Sequence, residues 1–368
     1  MKSVTVRIFC CVLCFVIIAV FAGCSGQTAK QANETTQAAA ETETISEDVK
    51  AQLDAALSEN KFDGMVQITK GGHVIYQYVK GDDDNGQPLT IDSSLPVGSV
   101  SKQFCAACVM LLCDQKKLSA DDTLDKYFPE YKYGDKMKVK DLLTMSSGLQ
   151  VELALEPSAL GKDETENVKV IKEAIFSDEL KFEPGEDYMY SNSNYFLLAN
   201  IVEQVSGVPY HEYLRKNFLE PLEMTHTGFV EEISEDHEWT SALSKTELMD
   251  ETTLPGLAKG AGDVVSNPAD MDKWMRGLSS GKIISTDAYQ QMTGNPNPNS
   301  VNGYSYGLWE MPFDGFGHLG QIEPHFSAVD YLNPDRGVFL FAASNSMSGM
   351  SFMDSLPYTL LNIYFEKD

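Results

Sequence analysis

Three serine–lysine pairs in the sequence have the spacing that a serine nucleophile with a lysine base requires. They are Ser58–Lys61, Ser99–Lys102 and Ser279–Lys282. At positions i and i+3 of a helix the two side chains share one face, so a deprotonated lysine can accept the proton of the hydroxyl. Burial favours the neutral amine, and only Ser99 precedes a long apolar segment, QFCAACVMLLCDQKKL, that can bury the pair. We therefore predict that Ser99 is the nucleophile and Lys102 its base.

Ser99 and Ser279 both fit a nucleophile motif, and their surroundings also favour Ser99. Its place at a predicted helix start brings backbone N–H groups near a developing oxyanion. The GLSSG stretch around Ser279 matches G-x-S-x-G, but it follows a predicted helix instead of a strand, so it lacks the context of a nucleophile elbow.

A second polar cluster, Tyr190-Ser191-Asn192, stands just before the apolar segment NYFLLANIVEQVSG. A tyrosine beside a lysine ammonium can be drawn toward phenolate and act as a general base, and an asparagine can bind a substrate carbonyl or amide. The same residues also suit a helix N-cap, Ser191 or Asn192, next to a core tyrosine. The residues alone leave both interpretations open.

The order of the predicted elements indicates how these residues are positioned. A capped amphipathic helix (residues 46–60) and a β-hairpin (64–81) begin the domain, and a strand-turn-strand unit (326–345) and a last helix (351–368) end it. The segments between them are mostly helical. This pattern predicts a mixed sheet assembled from both termini, with a helical region inserted between them.

The N-terminus has the pattern of an export signal. Basic residues precede an apolar run that ends in FAGC, which resembles a bacterial lipobox, so residues 1–23 are predicted to be a lipoprotein signal peptide and Cys24 the lipidated residue. Residues 24–45 are polar and aperiodic and predict a flexible tether, which leaves residues 46–368 as the domain. A retained anchor or plain secretion are the alternatives. All three place the domain outside the cytoplasm, and lipidation adds a membrane anchor.

Charge and composition exclude several classes of function. The formal net charge of −26 disfavours binding to nucleic acid or to anionic lipid headgroups. The six histidines form no H-x-x-x-H or H-x-H pair, so the sequence predicts no metal site and no cofactor. Cys105 and Cys108 form a C-x-x-C inside an apolar helical pattern. They are predicted to be small buried residues and not a redox pair, and since Cys113 leaves an odd number of thiols, disulfides are not expected to hold the fold.

Motifs along the chain resemble the serine β-lactamase and penicillin-binding-protein family. They are VGSVSKQF, KVKDLLTMSSGL, FEPGEDYMYSNSNYFLLANIVEQVSG, PLEMTHTGF, GAGDVVSNPADMDKW and YGLW…GHLG…PHFS, in the order found in the family. The resemblance covers roughly residues 47–365. It is greatest to the branch of class C β-lactamases, D-alanyl-D-alanine carboxypeptidases and esterases. It implies an α+β fold in which terminal helices flank an antiparallel sheet, with an inserted, mainly helical region and the site between them.

The resemblance also implies roles for individual residues. Ser99 becomes acylated, Lys102 is its base, Tyr190 is the general base and acid, and Asn192 contacts substrate. The family's third motif is Lys-Thr-Gly or His-x-Gly on a strand facing the serine. MTHTGF contains His226 but matches a structural segment, whereas GHLGQ lies where the third motif belongs. That position implies that His318, Gly320 and Gln321 bind substrate. The oxyanion is then held by the N–H groups of Ser99 and Gln321.

Two departures from the family pattern bear on the substrate. Leu319 stands where the family often has a hydroxyl that helps to bind a substrate carboxylate. Residues 321–325 are bulkier than the usual Gly-x-Pro-Gly, and Glu323 adds a negative charge. Met145, in place of a usual histidine, is structural.

We therefore expect an exported, membrane-tethered serine hydrolase with a small-molecule or peptidoglycan-derived substrate. The substrate is an ester, a D-amino-acid peptide or a β-lactam, with esterase or peptidase activity favoured over efficient β-lactamase activity. The alternative is a catalytically weak or inactive sensor or binding protein of the same fold.

Overall fold

The computed structural model describes most of the chain from residue 44 onward. The described ranges are 44–83, 86–150, 157–233, 254–294, 296–300, 303–322 and 326–366. The predicted signal peptide, Cys24 and nearly all of the predicted tether lie outside these ranges and stay predictions.

Strands lie near both ends of the described chain, and helices dominate the middle. The helices are α1 (Glu47–Glu59), α2 (Ser101–Asp114), α3 (Val139–Leu143), α4 (Glu164–Ser177), α5 (Asn192–Ser206), α6 (Tyr210–Leu214), α7 (Pro268–Ser279), α8 (Thr286–Gly294), α9 (Met347–Met353) and α10 (Leu356–Phe365). The strands are β1 (Gly64–Lys70), β2 (His73–Lys80), β3 (Leu95–Pro96), β4 (Gly228–Phe229), β5 (Val264–Ser266), β6 (Trp309–Met311), β7 (Gly315–Gly317), β8 (Leu319–Ile322), β9 (Phe326–Asn333) and β10 (Val338–Ser344).

The main sheet combines strands from both ends of the chain. Its order is β2-β1-β10-β9-β7-β6, and β8 also pairs with β9. The hairpins β1–β2 and β9–β10 confirm the predicted ones, and β1 joins them through β10, with Met65 opposite Ala343. Every one of these pairs is antiparallel. The mixed sheet expected from the element order is therefore wrong, because the contact between the two hairpins continues their alternation of direction. The antiparallel sheet implied by the resemblance is confirmed.

Helices from the two chain ends cover one face of this sheet. Ser46 caps α1 by accepting a hydrogen bond from the Val49 N–H at 3.2 Å, as the sequence predicted. Leu53 and Leu57 of α1 pack with Leu360 of α10 and with the sheet in one apolar cluster. The last helix is broken, contrary to the single helix predicted. Pro357 has no N–H to donate and lies in the first turn of α10, where that donor is not needed.

The helical region lies against the other face, with α2 at its centre. Nearly every residue of α2 is buried, and the Phe104 ring stacks on the Trp274 ring of α7 at 3.8 Å. Cys105 and Cys108 are fully buried free thiols whose pKa burial raises well above the usual value, which confirms the structural prediction for this pair. Among the described residues, no helix is both long and apolar enough to cross a membrane.

A small second sheet, in the order β3-β5-β4, holds the segments that carry the site. Leu95 of β3 pairs with Ser266 of β5, and the Val97 N–H donates to the Val264 carbonyl at 3.0 Å. Since β3 leads toward Ser99 and β5 follows directly after Asp263, this sheet fixes the two segments side by side.

Candidate active site

Ser99 lies where this second sheet gives way to the central helix. A short 3₁₀ turn, Gly98–Val100, runs directly into α2. Gly98 has a φ of +53°, and a Cβ at this position would lie 2.9 Å from the Gln321 nitrogen. Glycine therefore lets the turn approach β8 closely. Ser99 itself is half-buried in the first turn, where N–H groups lack partners within the helix.

Lys102 lies one turn further on and is enclosed by protein. It has no solvent exposure, and its Nζ donates hydrogen bonds to Ser99 Oγ at 2.8 Å, Asn192 Oδ1 at 2.8 Å and the Ala261 carbonyl at 2.7 Å. Burial lowers the pKa of Lys102 to about 7, although Asp263 opposes this by favouring the protonated form. A substantial fraction of the neutral amine is therefore present at neutral pH.

These three contacts determine where the lone pair of the neutral amine points. A neutral amine has two N–H bonds and one lone pair. The amide oxygen of Asn192 and the carbonyl of Ala261 can only accept, so they take the two N–H bonds. The Ser99 hydroxyl can donate and therefore receives the lone pair. The surroundings of Lys102 thus orient it as a base toward Ser99.

Tyr190 lies beside the pair, with its ring below the lysine. Lys102 Nζ is 4.9 Å from the ring centroid, a cation–π arrangement, and the ring stacks on Trp309 at 5.7 Å. The Tyr190 hydroxyl is buried and forms no hydrogen bond with the described residues. Burial raises the pKa of Tyr190 above its usual value, and the nearby Ser99 hydroxyl opposes this only partly. Burial thus opposes the drift toward phenolate in the free protein, and the role of Tyr190 as general base and acid stays a prediction.

The sequence left open whether Ser191 and Asn192 cap a helix or belong to the site. In the structure Ser191 caps the helix and Asn192 contacts Lys102. Ser191 is the N-cap of α5, with its Oγ accepting from the Ser193 N–H. Asn192 is exposed at the start of the helix, and its Oδ1 accepts from Lys102. Since Oδ1 is occupied, the Nδ2 amide is the group of this exposed side chain that can donate to a ligand.

β8 forms the wall opposite Ser99. The His318 carbonyl accepts a hydrogen bond from the Asp330 N–H of β9 at 3.1 Å. Because backbone groups alternate between the two edges of a strand, the N–H of Gln321 points to the open edge, beside Gly98 and Ser99. The structure thus brings the predicted third motif to the nucleophile, with two N–H groups near one point.

His318 is fully buried and neutral. Burial holds its pKa well below the usual value, and the charge of Lys102 acts in the same direction. Its Nδ1 lies 2.6 Å from the Leu319 carbonyl, which can only accept, so Nδ1 carries the proton and Nε2 is an acceptor. No described residue bonds this Nε2. A buried acceptor without a partner is unusual and suits contact with a ligand donor.

The side chain of Leu319 points away from Ser99. It packs against the cluster beneath the terminal helices and lines a groove of about 300 Å³ together with Met353, Pro357 and Tyr358. A Cβ on the neighbouring Gly320 would instead point at Ser99, as alternation along a strand requires. The interpretation of Leu319 as a missing hydroxyl in the site therefore loses its geometric basis. Glu323, Pro324 and His325 lie outside the described residues.

The other sequence candidates lie elsewhere. Ser58 and Lys61 are exposed at the end of α1, and Ser279 donates to the Met275 carbonyl of its own helix. His226 precedes β4, and its backbone N–H donates to Asp270, in keeping with a structural segment. Within the described ranges, no group of three or more His, Cys, Asp or Glu side chains is placed to hold a metal ion.

Several residues near the site were not predicted. The Trp309 ring contacts the His318 ring in a tilted arrangement, with 4.2 Å between the ring centroids, and also lines the groove. The buried Asp330 accepts hydrogen bonds from the His318 N–H at 2.8 Å and from Gln103 Nε2 at 3.0 Å, which ties β8 to α2. Burial raises the pKa of Asp330 to about 7. Gln103 directly follows Lys102, which is the one sequence signal that links this pair to the site.

Replacing Gly320 by alanine is expected to displace β8 from the nucleophile. The added Cβ would lie 1.9 Å from the Val97 carbonyl and 2.9 Å from the Ser99 nitrogen. A shift of about 1 Å in such a site costs roughly 100-fold in rate, so we expect that loss in kcat/KM for ester hydrolysis. Gly294→Ala is the matched control, because none of the described residues lies within 4 Å of its Cβ position. Equal activities of the two variants would contradict this geometry.

Comparisons with known proteins agree with this arrangement. A profile of the family described as Beta-lactamase matches residues 44–364. The chain is 29% identical over 321 residues to a protein of Bacillus subtilis named putative penicillin-binding protein PbpX, covering 83% of this chain and 77% of that one. It is 24% identical over 352 residues to protein flp of Staphylococcus aureus, covering 86% and 68%.

Two solved structures, each 25% identical to this chain, share its fold. The D-amino acid amidase of Ochrobactrum anthropi SV3 is 25% identical, with a TM-score of 0.71 over 87% of this chain and 100% of that one. The octameric penicillin-binding protein homologue of Pyrococcus abyssi is 25% identical, with a TM-score of 0.68 over 87% and 80%. Since the family profile spans most of the chain and the serine–lysine geometry fits its chemistry, this chain belongs to the β-lactamase family and is a serine hydrolase of that type.

Proposed function

We propose that the protein forms an acyl-enzyme on Ser99 and hydrolyses an ester or a D-amino-acid amide or peptide in preference to a β-lactam. The observation that carries the proposal is the orientation of Lys102. Its two fixed acceptors, Asn192 and Ala261, leave the lone pair for Ser99, and its pKa of about 7 makes the neutral form available.

The proposed reaction has two halves. Ser99 Oγ bonds to the substrate carbonyl carbon while its proton passes to Lys102, and the N–H groups of Ser99 and Gln321 hold the oxyanion. Tyr190, protonated because it is buried, gives its proton to the leaving group and regains one from Lys102. A water molecule then adds to the ester carbon, loses its proton to Lys102, and Ser99 Oγ leaves with that proton.

The preference for a less anionic substrate rests on the charge of the protein. The chain carries a formal net charge of −26, and Glu323 adds an acidic residue close in sequence to Gln321. Negative charge on the protein raises the cost of bringing an anionic group to Ser99. The resemblance to a protein named as a D-amino acid amidase supports an amide or peptide of a D-amino acid.

Export and lipid tethering are part of the same proposal. They rest on the basic and apolar N-terminus and on Cys24 after FAG, followed by a polar segment before the domain. We expect the full-length chain, made in a bacterium with lipoprotein processing, to fractionate with the membrane and to incorporate labelled palmitate. Loss of the label in Cys24→Ser, with cleavage or secretion retained, supports the lipid. An equal label in that variant would contradict it.

A panel of substrates tests the proposed preference. We expect kcat/KM for p-nitrophenyl acetate and for D-alanine p-nitroanilide to exceed that for nitrocefin by at least about tenfold, because the cephalosporin carries a carboxylate toward an acidic protein. Ser99→Ala gives the background for each substrate. Efficient hydrolysis of nitrocefin, at or above the rate for the ester, would overturn the preference. An absence of turnover with every substrate and probe would instead favour the binding-protein alternative.

A further inference from the structure

His211 and Asp263 form a hydrogen-bonded pair beside the turn whose Ala261 carbonyl contacts Lys102. His211 Nε2 lies 2.8 Å from Asp263 Oδ2, and its ring stacks on Phe229 at 3.9 Å. Asp263 has no solvent exposure, while 18% of the His211 side chain is exposed. The pair therefore links the protein surface to the turn that contacts the base.

Asp263 is bound to the same turn that holds Lys102. Its Oδ2 also accepts the Gly260 N–H at 2.8 Å, and the next residue, Ala261, gives its carbonyl to Lys102 Nζ at 2.7 Å. Gly260 is required in this turn, because it has a φ of +69° and a Cβ there would lie 2.8 Å from the Tyr195 carbonyl. The carboxylate thus closes the turn whose carbonyl orients the base.

The second carboxylate oxygen is without a partner. Asp263 Oδ1 is buried, and no described residue donates a hydrogen bond to it. An ionised carboxylate with one bare oxygen is costly in the interior, so it acts strongly on any cation nearby. Lys102 is such a cation, and Asp263 is the largest influence that favours its protonated form.

The charges that face the pair come from several elements. Glu231, after β4, favours protonated His211, while Lys259, in the turn before Asp263, disfavours it. Lys259 is itself paired with Glu164 and Glu203. Asp263 is the chief partner that raises the pKa of His211, against the opposing effect of burial. Around Lys102, the Cys105 thiol is protonated because burial raises its pKa, and Ser99, Asn192 and Tyr190 are also neutral.

We propose that Asp263 and His211 are positioning residues that set the protonation of Lys102: Asp263 holds its turn and favours the ammonium form, and His211 offsets the charge of Asp263. Neither residue touches the substrate. The inference rests on the proposed role of Lys102 as the base for Ser99. It assigns a function to a histidine on α6 that the family motifs leave without one.

The proposal predicts pH shifts of opposite sign for two conservative variants. The acid limb is the fall in rate at low pH that accompanies protonation of Lys102. Asp263→Asn keeps an oxygen for Gly260 and His211 but removes the negative charge, so this acid limb moves to lower pH. His211→Gln keeps an N–H for Asp263 but removes the positive charge, so the limb moves to higher pH. Each shift is expected to be about 0.5–1 pH unit. In the double variant the acid limb is expected at the same pH as in Asp263→Asn, because His211 acts on Lys102 only through Asp263.

The measurement is the second-order rate constant for labelling Ser99 with a fluorophosphonate between pH 5 and 9, which needs no knowledge of the substrate. His226→Gln is the control, since this histidine lies outside the site and contacts Thr225. Thermal melting checks that each variant is folded. If Asp263→Asn does not fold, the shift in His211→Gln, at a partly exposed position, decides the question.

The pH profile of the wild-type protein distinguishes a failure of the proposed role of Lys102 from a failure of the proposed role of Asp263 and His211. A wild-type protein without an acid limb near pH 7 contradicts the role of Lys102 itself. A wild-type limb near pH 7 that stays in place in both folded variants, or moves in the same direction in both, overturns the proposal for Asp263 and His211. A purely structural role predicts lower rates or lower melting temperatures without opposite pH shifts.

Discussion

Replacing Ser99 by alanine is expected to abolish covalent labelling by a fluorophosphonate and to lower kcat/KM for ester hydrolysis by at least about 10⁴-fold. The reason is that Ser99 Oγ is the only atom of its side chain that can bond to the substrate, and Lys102 would then have no proton to accept. The change removes one half-buried oxygen, so the fold should be retained. Intact-protein mass spectrometry after labelling measures the adduct directly.

Ser279→Ala is the matched control for this variant. Ser279 has the same spacing to a lysine, Lys282, but its hydroxyl donates within α7 and Lys282 is exposed. We expect labelling and turnover of this variant to equal those of the wild type. An adduct that persists in Ser99→Ala, or that disappears in Ser279→Ala, would place the nucleophile elsewhere.

The local part of the site could be predicted from the sequence because its signals are local. A serine and a lysine three residues apart before an apolar run specify one helix face and its burial. Local patterns of capping and alternation likewise predicted the start of α5 and the two hairpins. The order of motifs along the chain then placed GHLGQ, and not the better-matching MTHTGF, opposite Ser99, and β8 does lie there.

The contacts made by backbone atoms and by distant residues could not be predicted. The carbonyl of Ala261, which orients Lys102, has no signature in residue type, since every residue has a carbonyl. The pair Gln103–Asp330 joins positions 227 apart in the chain, and nothing in either segment specifies the other. Such contacts follow from the packing of α2 against β9.

The direction of the Leu319 side chain could not be predicted from the sequence for a different reason. The residues around it specify a strand, but a strand exposes alternate residues on two faces, and a shift of one residue exchanges the faces. Only the pairing of β8 with β9 and the close approach of Gly320 to Ser99 decide that Leu319 faces the terminal helices. A departure from a family motif is therefore informative about substrate only after its direction is known.

The buried lysine also has a thermodynamic consequence. With a pKa of about 7 in the folded protein instead of the usual 10.5, Lys102 binds fewer protons in the native state than in the unfolded one between these values. The free energy of unfolding therefore rises with pH from about 7 to 10.5. Below pH 7 the whole cost of burying Lys102 is present, and at 1.36 kcal/mol per pKa unit it is about 5 kcal/mol. A group that destabilises the fold at neutral pH is expected where function requires it.

Replacing Lys102 by arginine is expected to lower kcat/KM by about 10³-fold and to remove the acid limb near pH 7, because a guanidinium does not release its proton in this range. In the wild type, kcat/KM for an uncharged ester should rise about tenfold per pH unit below pH 7 and level off above it, as the neutral amine becomes dominant. The measurement is the pH dependence of kcat/KM for p-nitrophenyl acetate from pH 5 to 9, corrected for spontaneous hydrolysis.

Lys282→Arg is the control for the loss of the acid limb, since Lys282 is an exposed lysine with the same spacing to a serine. Its profile should match that of the wild type. A second variant, Asn192→Asp, tests the orientation of the base, because a carboxylate in place of the amide favours the ammonium form and should move the acid limb to higher pH, by about one unit. An acid limb that survives in Lys102→Arg would show that another group accepts the proton of Ser99, and the two fixed acceptors around Lys102 would then need a different explanation.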